Sequence, residues 1–143
     1  MNKETIFTVL GVVGASIASL YGGWTSGMTT LVILMIIDYF TGLLVAAVFG
    51  KSKKTEDGKL ESRAGWKGLV RKCVTLLMVL VATRLDMLIG TSFVRDATVI
   101  GFSANELLSI VENAGLMGIP MPAVVTNAIE VLQKKADGAK QEV

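Results

Sequence analysis

"MTTLVILMIIDYFTGLLVAAVFG", residues 28–50, is a run of 23 residues with a single charged side chain, Asp38. At about 1.5 Å per residue, a helix of this length measures roughly 34 Å, which is enough to cross the hydrocarbon core of a bilayer with some tilt. The stretch therefore predicts a membrane-spanning helix. Because an ionisable group inside a membrane is costly, Asp38 is expected to face a partner or a water-filled cavity.

The composition of the chain is also that of a membrane protein. Hydrophobic residues make up 52% of the 143 residues and charged residues 18%, whereas soluble domains average about 45–50% and about 25%. The single cysteine, Cys73, excludes an internal disulfide. Without histidine, the chain lacks the commonest metal ligand and the usual general base. No metal or other cofactor is expected.

Residues 5–24, "TIFTVLGVVGASIASLYGGW", predict a second span upstream, since no charge occurs between Ile6 and Tyr21. A cleaved signal peptide is the alternative, because "SIA" at residues 16–18 resembles a cleavage site and Lys3 provides a basic start. The further hydrophobic segments downstream favour a helix that is retained.

Small residues form one stripe along this first segment, at spacings of three and four residues. They are Gly11, Gly14, Ala15 and Ala18. In lipid, small side chains let helices approach closely and gain van der Waals contact. The stripe predicts helix packing, either within one chain or between copies of the chain.

Residues 51–73 are strongly basic, with eight basic and three acidic side chains and a net charge of +5. The rest of the chain has six basic and nine acidic residues, a net charge of −3. Between two membrane segments, such a cluster is typical of a cytoplasmic loop rather than of nucleic-acid binding, and the N-terminus is then cytoplasmic too. Contact with anionic lipid headgroups is also expected. The candidate contacts are Lys51, Lys53, Lys54, Arg71 and Lys72.

Two more helical segments follow the basic loop. Residues 74–90 predict a third, shorter span, and residues 93–119 predict a fourth helix that ends before Pro120. The remaining residues, 123–143, are expected to form a short helix and a tail. The sequence thus predicts an all-α integral membrane protein, built as a single membrane domain.

The fourth segment carries a polar stripe. When residues 105–113 are placed on a helix, five polar side chains fall within an arc of about 120°. They are Asn105, Glu106, Ser109, Glu112 and Asn113. Such a helix either lies in the membrane interface with its stripe in water, or crosses the membrane only in an oligomer whose stripes line water. Glutamates facing lipid are excluded in both cases, since acids near the centre of a span cost about 2.5–3.5 kcal/mol each.

Three partners are open to Asp38. The guanidinium of Arg84, near the end of the third span, is the nearest candidate within the chain, whereas Asp86 points to the opposite face of that helix. The second possibility is a residue of another subunit. In the third, Asp38 is protonated and hydrogen-bonded to a backbone group or to Thr41. Gly42, one turn away, allows close approach of another helix, so Asp38 and its neighbours are candidates for assembly or gating.

Several motifs resemble one family of membrane proteins. "DYFTGLL" at residues 38–44 is similar to the second hydrophobic segment of the phage lysis and toxin-secretion holins, and "ENAGLMGIPMP" at 112–122 is similar to their C-terminal signature. Between them, "SRAGWKGLVRK" in the basic loop and the "LD" pair at residues 85–86 keep the order of the family. The resemblance covers roughly residues 28–132.

The resemblance implies a small protein of the bacterial inner membrane that oligomerises and opens lesions. An endolysin, or a toxin in the secretion variants, leaves the cytoplasm through these lesions. The expected partners are therefore membrane lipids, further copies of the chain and the released endolysin or toxin. The polar stripe at residues 105–113 is then the candidate pore lining.

Two other functions fit the residues. In one, the chain is a small transporter or channel in which Asp38 binds a proton or a cation. In the other, it is a non-conducting scaffold that recruits a partner through the basic loop. No nucleophile–base pair, phosphate-binding loop or metal-ligand pattern is present in the sequence, so an enzyme is not predicted.

Overall fold

The computed structural model describes residues 1–139 and places them in helices and short connections, with no strand in that range. The helices are α1 (Lys3–Leu20), α2 (Ser26–Leu44), α3 (Ser62–Ile89), α4 (Phe93–Leu116) and α5 (Ala123–Ala139). A π-helical turn, Val45–Phe49, continues α2. The all-helical prediction is confirmed for the described residues, and the last four residues of the predicted tail lie outside them.

Within residues 1–139, two helices are long and apolar enough to cross a membrane. The first is α1, Lys3–Leu20, and the second is α2 together with its π-helical turn, Ser26–Phe49. The predicted third and fourth spans correspond to α3 and α4, which carry more charge, and their crossing remains a prediction. Helices α1, α2 and α3 leave many large apolar side chains exposed, among them Phe7, Ile36 and Leu88, which is expected for surfaces that face lipid or another protein.

The first helix is nearly free of the remainder of the chain. None of its residues is buried, and no other described atom would lie within 4 Å of a Cβ added at Gly11 or Gly14. These two glycines of the small-residue stripe therefore do not pack against the rest of the chain, whereas Ala18, near the end of α1, is half-buried. Only the end of α1 is held, where the buried Tyr21 donates a hydrogen bond of 2.8 Å from its hydroxyl to the carbonyl of Leu76.

Helix α4 lies at the centre of the fold and packs against α2, α3 and α5. Its Val99 joins a buried apolar cluster with Met28, Leu31 and Met35 of α2 and with Val79 of α3. Burial of such side chains from water contributes about 1.5–3 kcal/mol each. This core lies toward the beginning of α2, and Asp38 lies beyond it, in the second half of the helix.

The helix bundle has two ends, which differ in the segments that connect the helices there. At the first, the turn end, the guanidinium of Arg84 donates to the carbonyl of Leu20 (3.0 Å) and that of Arg95 to the carbonyl of Tyr21 (2.9 Å). At the opposite end, the loop end, residues 50–61 connect α2 to α3. Helices α1 and α3 thus end at the turn end, where α2 and α4 begin.

The third helix begins twelve residues earlier than the predicted span, at Ser62 instead of residue 74. The sequence predicts a basic loop for its first turns. They are helical because two glycines let α2 pack against them: a Cβ at Gly68 would lie 3.6 Å from the Tyr39 ring, and the Tyr39 hydroxyl donates to the carbonyl of Gly65 at 3.2 Å. The loop itself is confined to residues 50–61 and is closed by a 2.9 Å hydrogen bond from the Ser52 N–H to the Gly58 carbonyl.

The last helix, α5, runs antiparallel to α4 along much of its length. Ala136 lies beside Gly101, where an added Cβ would be 3.6 Å from the Ala136 methyl group. A groove of about 680 Å³ lies between the two helices, with Phe102 on its apolar side and Asn105 and Gln133 among its polar residues. The end of α5 therefore returns to the turn end of the bundle.

Candidate functional site

A charged cluster joins α2, α3 and α4, and we call it the Asp38 cluster. Its members are Asp38 and Thr41 of α2, Lys72 of α3, and Glu106 and Asn113 of α4. The Lys72 ammonium donates to an oxygen of Asp38 at 2.7 Å and to an oxygen of Glu106 at 2.5 Å. The side chains of Lys72, Asp38 and Glu106 are only 14%, 7% and 15% exposed. One cation therefore holds two carboxylates, each from a different helix.

An amide completes the cluster. The Asn113 Nδ2 group donates to the Thr41 hydroxyl at 2.9 Å and to the second carboxylate oxygen of Asp38 at 3.2 Å. Helix α4 passes close to α2 here: a Cβ added at Gly42 would lie only 3.8 Å from the same Asn113 nitrogen. Each oxygen of Asp38 thus has a donor, as buried polar groups require.

The cluster lies midway along α2 and its π-helical turn. Asp38 follows Ser26 by twelve residues and precedes Phe49 by eleven, which places it about 18 Å from one end and about 17 Å from the other. In a bilayer with a hydrocarbon core about 30 Å thick, this position is close to the midplane. If α2 crosses a bilayer, the cluster is a charged centre at the depth where unpaired charge is least stable.

A cavity of about 200 Å³ adjoins the cluster and extends toward the loop end of the bundle. A volume of this size accommodates several water molecules, since a single water needs only about 10–15 Å³ of such space. Basic and acidic groups are present in equal number in its wall, so the cavity does not favour one sign of ligand charge. They are Lys53, Lys54, Arg71, Lys72, Asp38, Glu61, Glu106 and Glu112.

Comparison with known proteins gives the family of the chain. The sequence profile of the bacteriophage holin family matches residues 15–134. The chain belongs to the bacteriophage holin family. The resemblance seen in the "DYFTGLL" and "ENAGLMGIPMP" motifs is thereby confirmed, and the matched range includes every member of the Asp38 cluster.

Individual relatives of this holin-family chain come from phages and bacteria. A protein described as a probable holin of Bacillus phage phi105 is 37% identical over 108 residues, covering 75% of the chain and 74% of the relative. An uncharacterized protein of Halalkalibacterium halodurans is 36% identical over 135 residues, 90% of the chain and 93% of the relative. An uncharacterized protein of Listeria monocytogenes is 34% identical over 131 residues, covering 91% of the chain and 87% of the relative. No solved structure matches the chain.

In this holin-family protein, Arg84 is not the partner of Asp38 among the three alternatives that the sequence leaves open. Arg84 lies at the turn end, where its guanidinium is bound to the Leu20 carbonyl. Lys72, the true partner, precedes Arg84 by twelve residues, or about 18 Å along α3. Lys72 was missed because it was assigned to the basic loop and to lipid contact. That assignment is wrong for Lys72, whose ammonium is directed into the bundle.

The other proposed lipid contacts are placed differently from Lys72. Lys51, Lys53, Lys54 and Arg71 are exposed at the loop end of the holin-family chain. Lys53 also pairs with Glu112 at 2.8 Å, but both side chains are more than half exposed, so the pair contributes little to stability. These four residues remain available to a lipid surface.

The predicted polar stripe divides between two surfaces. Glu106, Ser109 and Asn113 line the cavity beside the Asp38 cluster, together with the exposed Glu112. Asn105 lies on the other side of α4, in the groove with α5. The sequence treated Asp38 and the stripe as separate features, whereas the structure brings Asp38, Glu106 and Asn113 into one cluster.

Asp86 has a structural position outside the cluster, where it caps α4 from the end of α3. One of its oxygens accepts hydrogen bonds from the Val94 N–H (3.0 Å) and the Thr91 hydroxyl (2.6 Å), and the other accepts from the Arg95 N–H (2.9 Å). The first N–H groups of a helix lack partners within the helix, and a carboxylate there also interacts favourably with the helix dipole. Asp86 therefore fixes the turn between α3 and α4.

We expect Asp86→Ala to lower the free energy of unfolding by about 2–4 kcal/mol, because two helix N–H groups and one hydroxyl lose their acceptor. Denaturation of the purified protein in detergent, followed by helical circular dichroism, measures this change. Asp96→Ala is the matched control, since the Asp96 side chain is 61% exposed. It should change stability by less than about 1 kcal/mol. Equal effects of the two substitutions would contradict the capping role.

Proposed function

We propose that this chain oligomerises in the bacterial inner membrane and permeabilises it, so that an endolysin or a toxin leaves the cytoplasm. The observation that carries the proposal is the Asp38 cluster. It joins polar groups of α2, α3 and α4 at mid-membrane depth, inside helices whose outer surfaces are apolar. Membership of the holin family supports the same function. Such a chain acts by forming a passage and needs no catalytic residue.

In this proposal α3 and α4 cross the membrane together with α1 and α2, and the N-terminus is cytoplasmic. The loop end, with residues 50–61, then faces the cytoplasm, in agreement with the excess of basic residues there. The turn end faces outward. The length of α3 supports its crossing, because its 28 residues extend over about 42 Å.

The single chain represents a closed form in this proposal. Glu106 and Asn113 are bound to α2 and α3, so their side chains do not face a neighbouring molecule. Opening separates α4 from Lys72 and Asp38, and the freed polar groups then line a water-filled passage between subunits. Ser109 and Glu112, which already line the small cavity, belong to the same passage.

Assembly is assigned to α1. Gly11 and Gly14 of its small-residue stripe meet no other described part of the chain, and none of the residues of the helix is buried. Close contact between the stripes of two copies would add van der Waals attraction that lipid tails do not supply to a single helix. The stripe thus serves packing between copies rather than packing within one chain.

Controlled expression in a bacterium tests the proposed function. We expect that, after a delay, a membrane-impermeant dye enters the cells and a co-expressed endolysin reaches the medium. The matched control is the same host with the endolysin alone, in which the enzyme remains inside. Intact membranes at high levels of inserted protein would contradict the proposal, and saturable flux of small ions without release of protein would favour a transporter.

A further inference from the structure

The third helix is longer than the apolar part of a bilayer. Its 28 residues measure about 42 Å, compared with about 30 Å for the hydrocarbon core. If α3 crosses the membrane, as in the proposed function on which this inference rests, roughly 12 Å of helix projects beyond the core. The projecting turns lie at the loop end, because the residues before Val74 carry most of the charges of this helix.

These turns have two different faces. Gly65, Gly68 and Lys72 lie on the inner face, against Tyr39 and the Asp38 cluster. On the outer face, basic side chains recur at every fourth position and follow one another along the helix. They are Arg63, Lys67 and Arg71; all three are exposed, and Arg71 also reaches the wall of the cavity beside the Asp38 cluster. No carboxylate within residues 1–139 forms an ion pair with them.

An exposed tryptophan accompanies this basic stripe. Trp66 is 66% exposed, and it is followed one turn later by Val70, which is 42% exposed. The apolar line continues along the same face with Val74 and Leu77, toward the centre of α3. Tryptophan is enriched where membrane helices pass from hydrocarbon to headgroups. The outer face therefore changes from apolar to basic between Val74 and Trp66.

We propose that this face of α3 is a binding surface for anionic phospholipid headgroups of the cytoplasmic leaflet. Arg63, Lys67 and Arg71 pair with lipid phosphates, and the Trp66 indole lies at the boundary of the hydrocarbon core. Guanidinium groups suit this contact because they bind phosphate oxygens through two parallel hydrogen bonds. The surface holds α3 at a fixed depth, with Lys72 directed into the bundle on the opposite side of the helix.

The arrangement favours a lipid surface over a nucleic acid or an acidic protein. The basic stripe is continuous with exposed apolar residues of the same helix face, and an aqueous partner would leave Trp66 and Val70 uncovered on one side. Lys51, Lys53 and Lys54 of the loop lie at the same end of the bundle. They add to the positive potential near the surface, which decays within about 10 Å at ordinary salt.

Fluorescence quenching tests the proposal, since the chain has only two tryptophans. Trp24→Phe leaves Trp66 as the probe of the loop end, whereas Trp66→Phe leaves Trp24 as the probe of the turn end. The full-length variants are placed in vesicles of phosphatidylglycerol and phosphatidylcholine in equal amounts, with bromine on the chains of one lipid or the other. We expect brominated phosphatidylglycerol to quench Trp66 at least about twofold more than brominated phosphatidylcholine, with no such preference at Trp24.

Two sets of substitutions distinguish the effect of the basic stripe on α3 from the effect of positive charge elsewhere in the chain. Combining Arg63→Gln, Lys67→Gln and Arg71→Gln should remove the preference at Trp66. Combining Lys3→Gln, Lys134→Gln and Lys135→Gln removes the same charge from exposed positions of α1 and α5 and should leave the preference in place. Equal quenching of Trp66 by the two lipids in the Trp24→Phe protein would overturn the proposal. So would a preference that survives the first set or is lost with the second.

Further measurements distinguish lipid phosphates from free phosphate as the ligand of the stripe. They also test lipid binding separately from pore formation. Inorganic phosphate should reduce the preference no more than chloride at equal ionic strength; a larger effect would assign the stripe to a free anion and overturn the lipid assignment. An encapsulated reporter protein in the same vesicles measures release. A lipid preference without release would support the lipid surface and contradict the pore, whereas release without a preference would contradict the lipid surface alone.

Discussion

Cells that express the Lys72→Met variant are expected to become permeable much earlier after induction than cells with the wild-type chain. The substitution leaves the carboxylates of Asp38 and Glu106 side by side, without the ammonium that binds both. Removing one partner of a buried ion pair costs about 3–5 kcal/mol, and this cost falls on the closed form. Entry of a membrane-impermeant dye, timed from induction, measures the effect.

The charge of Lys72 and its position in the bundle are tested by separate variants. Lys72→Arg retains a cation between the two acids and should be closer to wild type in timing. Lys53→Met is the matched control, because it removes a lysine from an exposed ion pair with Glu112, which is worth at most about 1 kcal/mol. Its timing should equal that of the wild-type chain.

A protein that fails to insert would also change the timing, so membrane-bound protein is quantified for every variant. The combination of Lys72→Met with Asp38→Asn and Glu106→Gln removes all three charges and should restore part of the delay, since no unpaired carboxylate is left. Delayed or unchanged permeabilisation by Lys72→Met, at wild-type levels of inserted protein, would contradict the role of the cluster in holding the closed form.

The sequence was informative where one physical property dominated. The apolar run at residues 28–50 predicted α2, which the structure has at Ser26–Leu44 with a π-helical turn to Phe49. The cost of a charge in that run identified Asp38 as a residue that requires a partner. The helical spacing of Glu106, Ser109 and Asn113 placed them on one face, and the structure has all three beside the same cavity.

Tertiary contacts determined the features that the sequence did not predict. The first turns of α3 are charged and contain glycines, which are poor helix formers, and they are stabilised by the Tyr39 ring against Gly65 and Gly68. Because the sequence predicts a loop for these turns, Lys72 was not considered as a partner of Asp38, and Arg84 was the nearest candidate within the chain. Composition alone does not distinguish a lysine that faces lipid headgroups from one that faces the bundle, because that depends on the face that Gly65 and Gly68 present to α2.

Asp38→Leu and Asp38→Asn should differ in their effect on the onset of permeability. The amide that Asp38→Asn introduces has nearly the shape of the carboxylate and still offers an oxygen to the Asn113 Nδ2 group, while Lys72 keeps Glu106 as its counter-ion. Leucine offers no acceptor, so Lys72 and Asn113 each lose a buried hydrogen bond at a cost of about 1–3 kcal/mol. We therefore expect a moderate advance of dye entry with Asp38→Asn and a larger one with Asp38→Leu.

The control for these variants is Asp57→Leu, which makes the same chemical change at an exposed position of the loop. It should leave the onset unchanged, because Asp57 accepts only the local Lys59 N–H at 3.0 Å. Pairing Asp38→Leu with Asn113→Leu should give less than the sum of the two single effects, since both remove the same contact between α2 and α4. Wild-type timing in both Asp38 variants would mean that Asp38 does not hold the closed form, and additive effects of the pair would mean that the contact with Asn113 does not contribute to it.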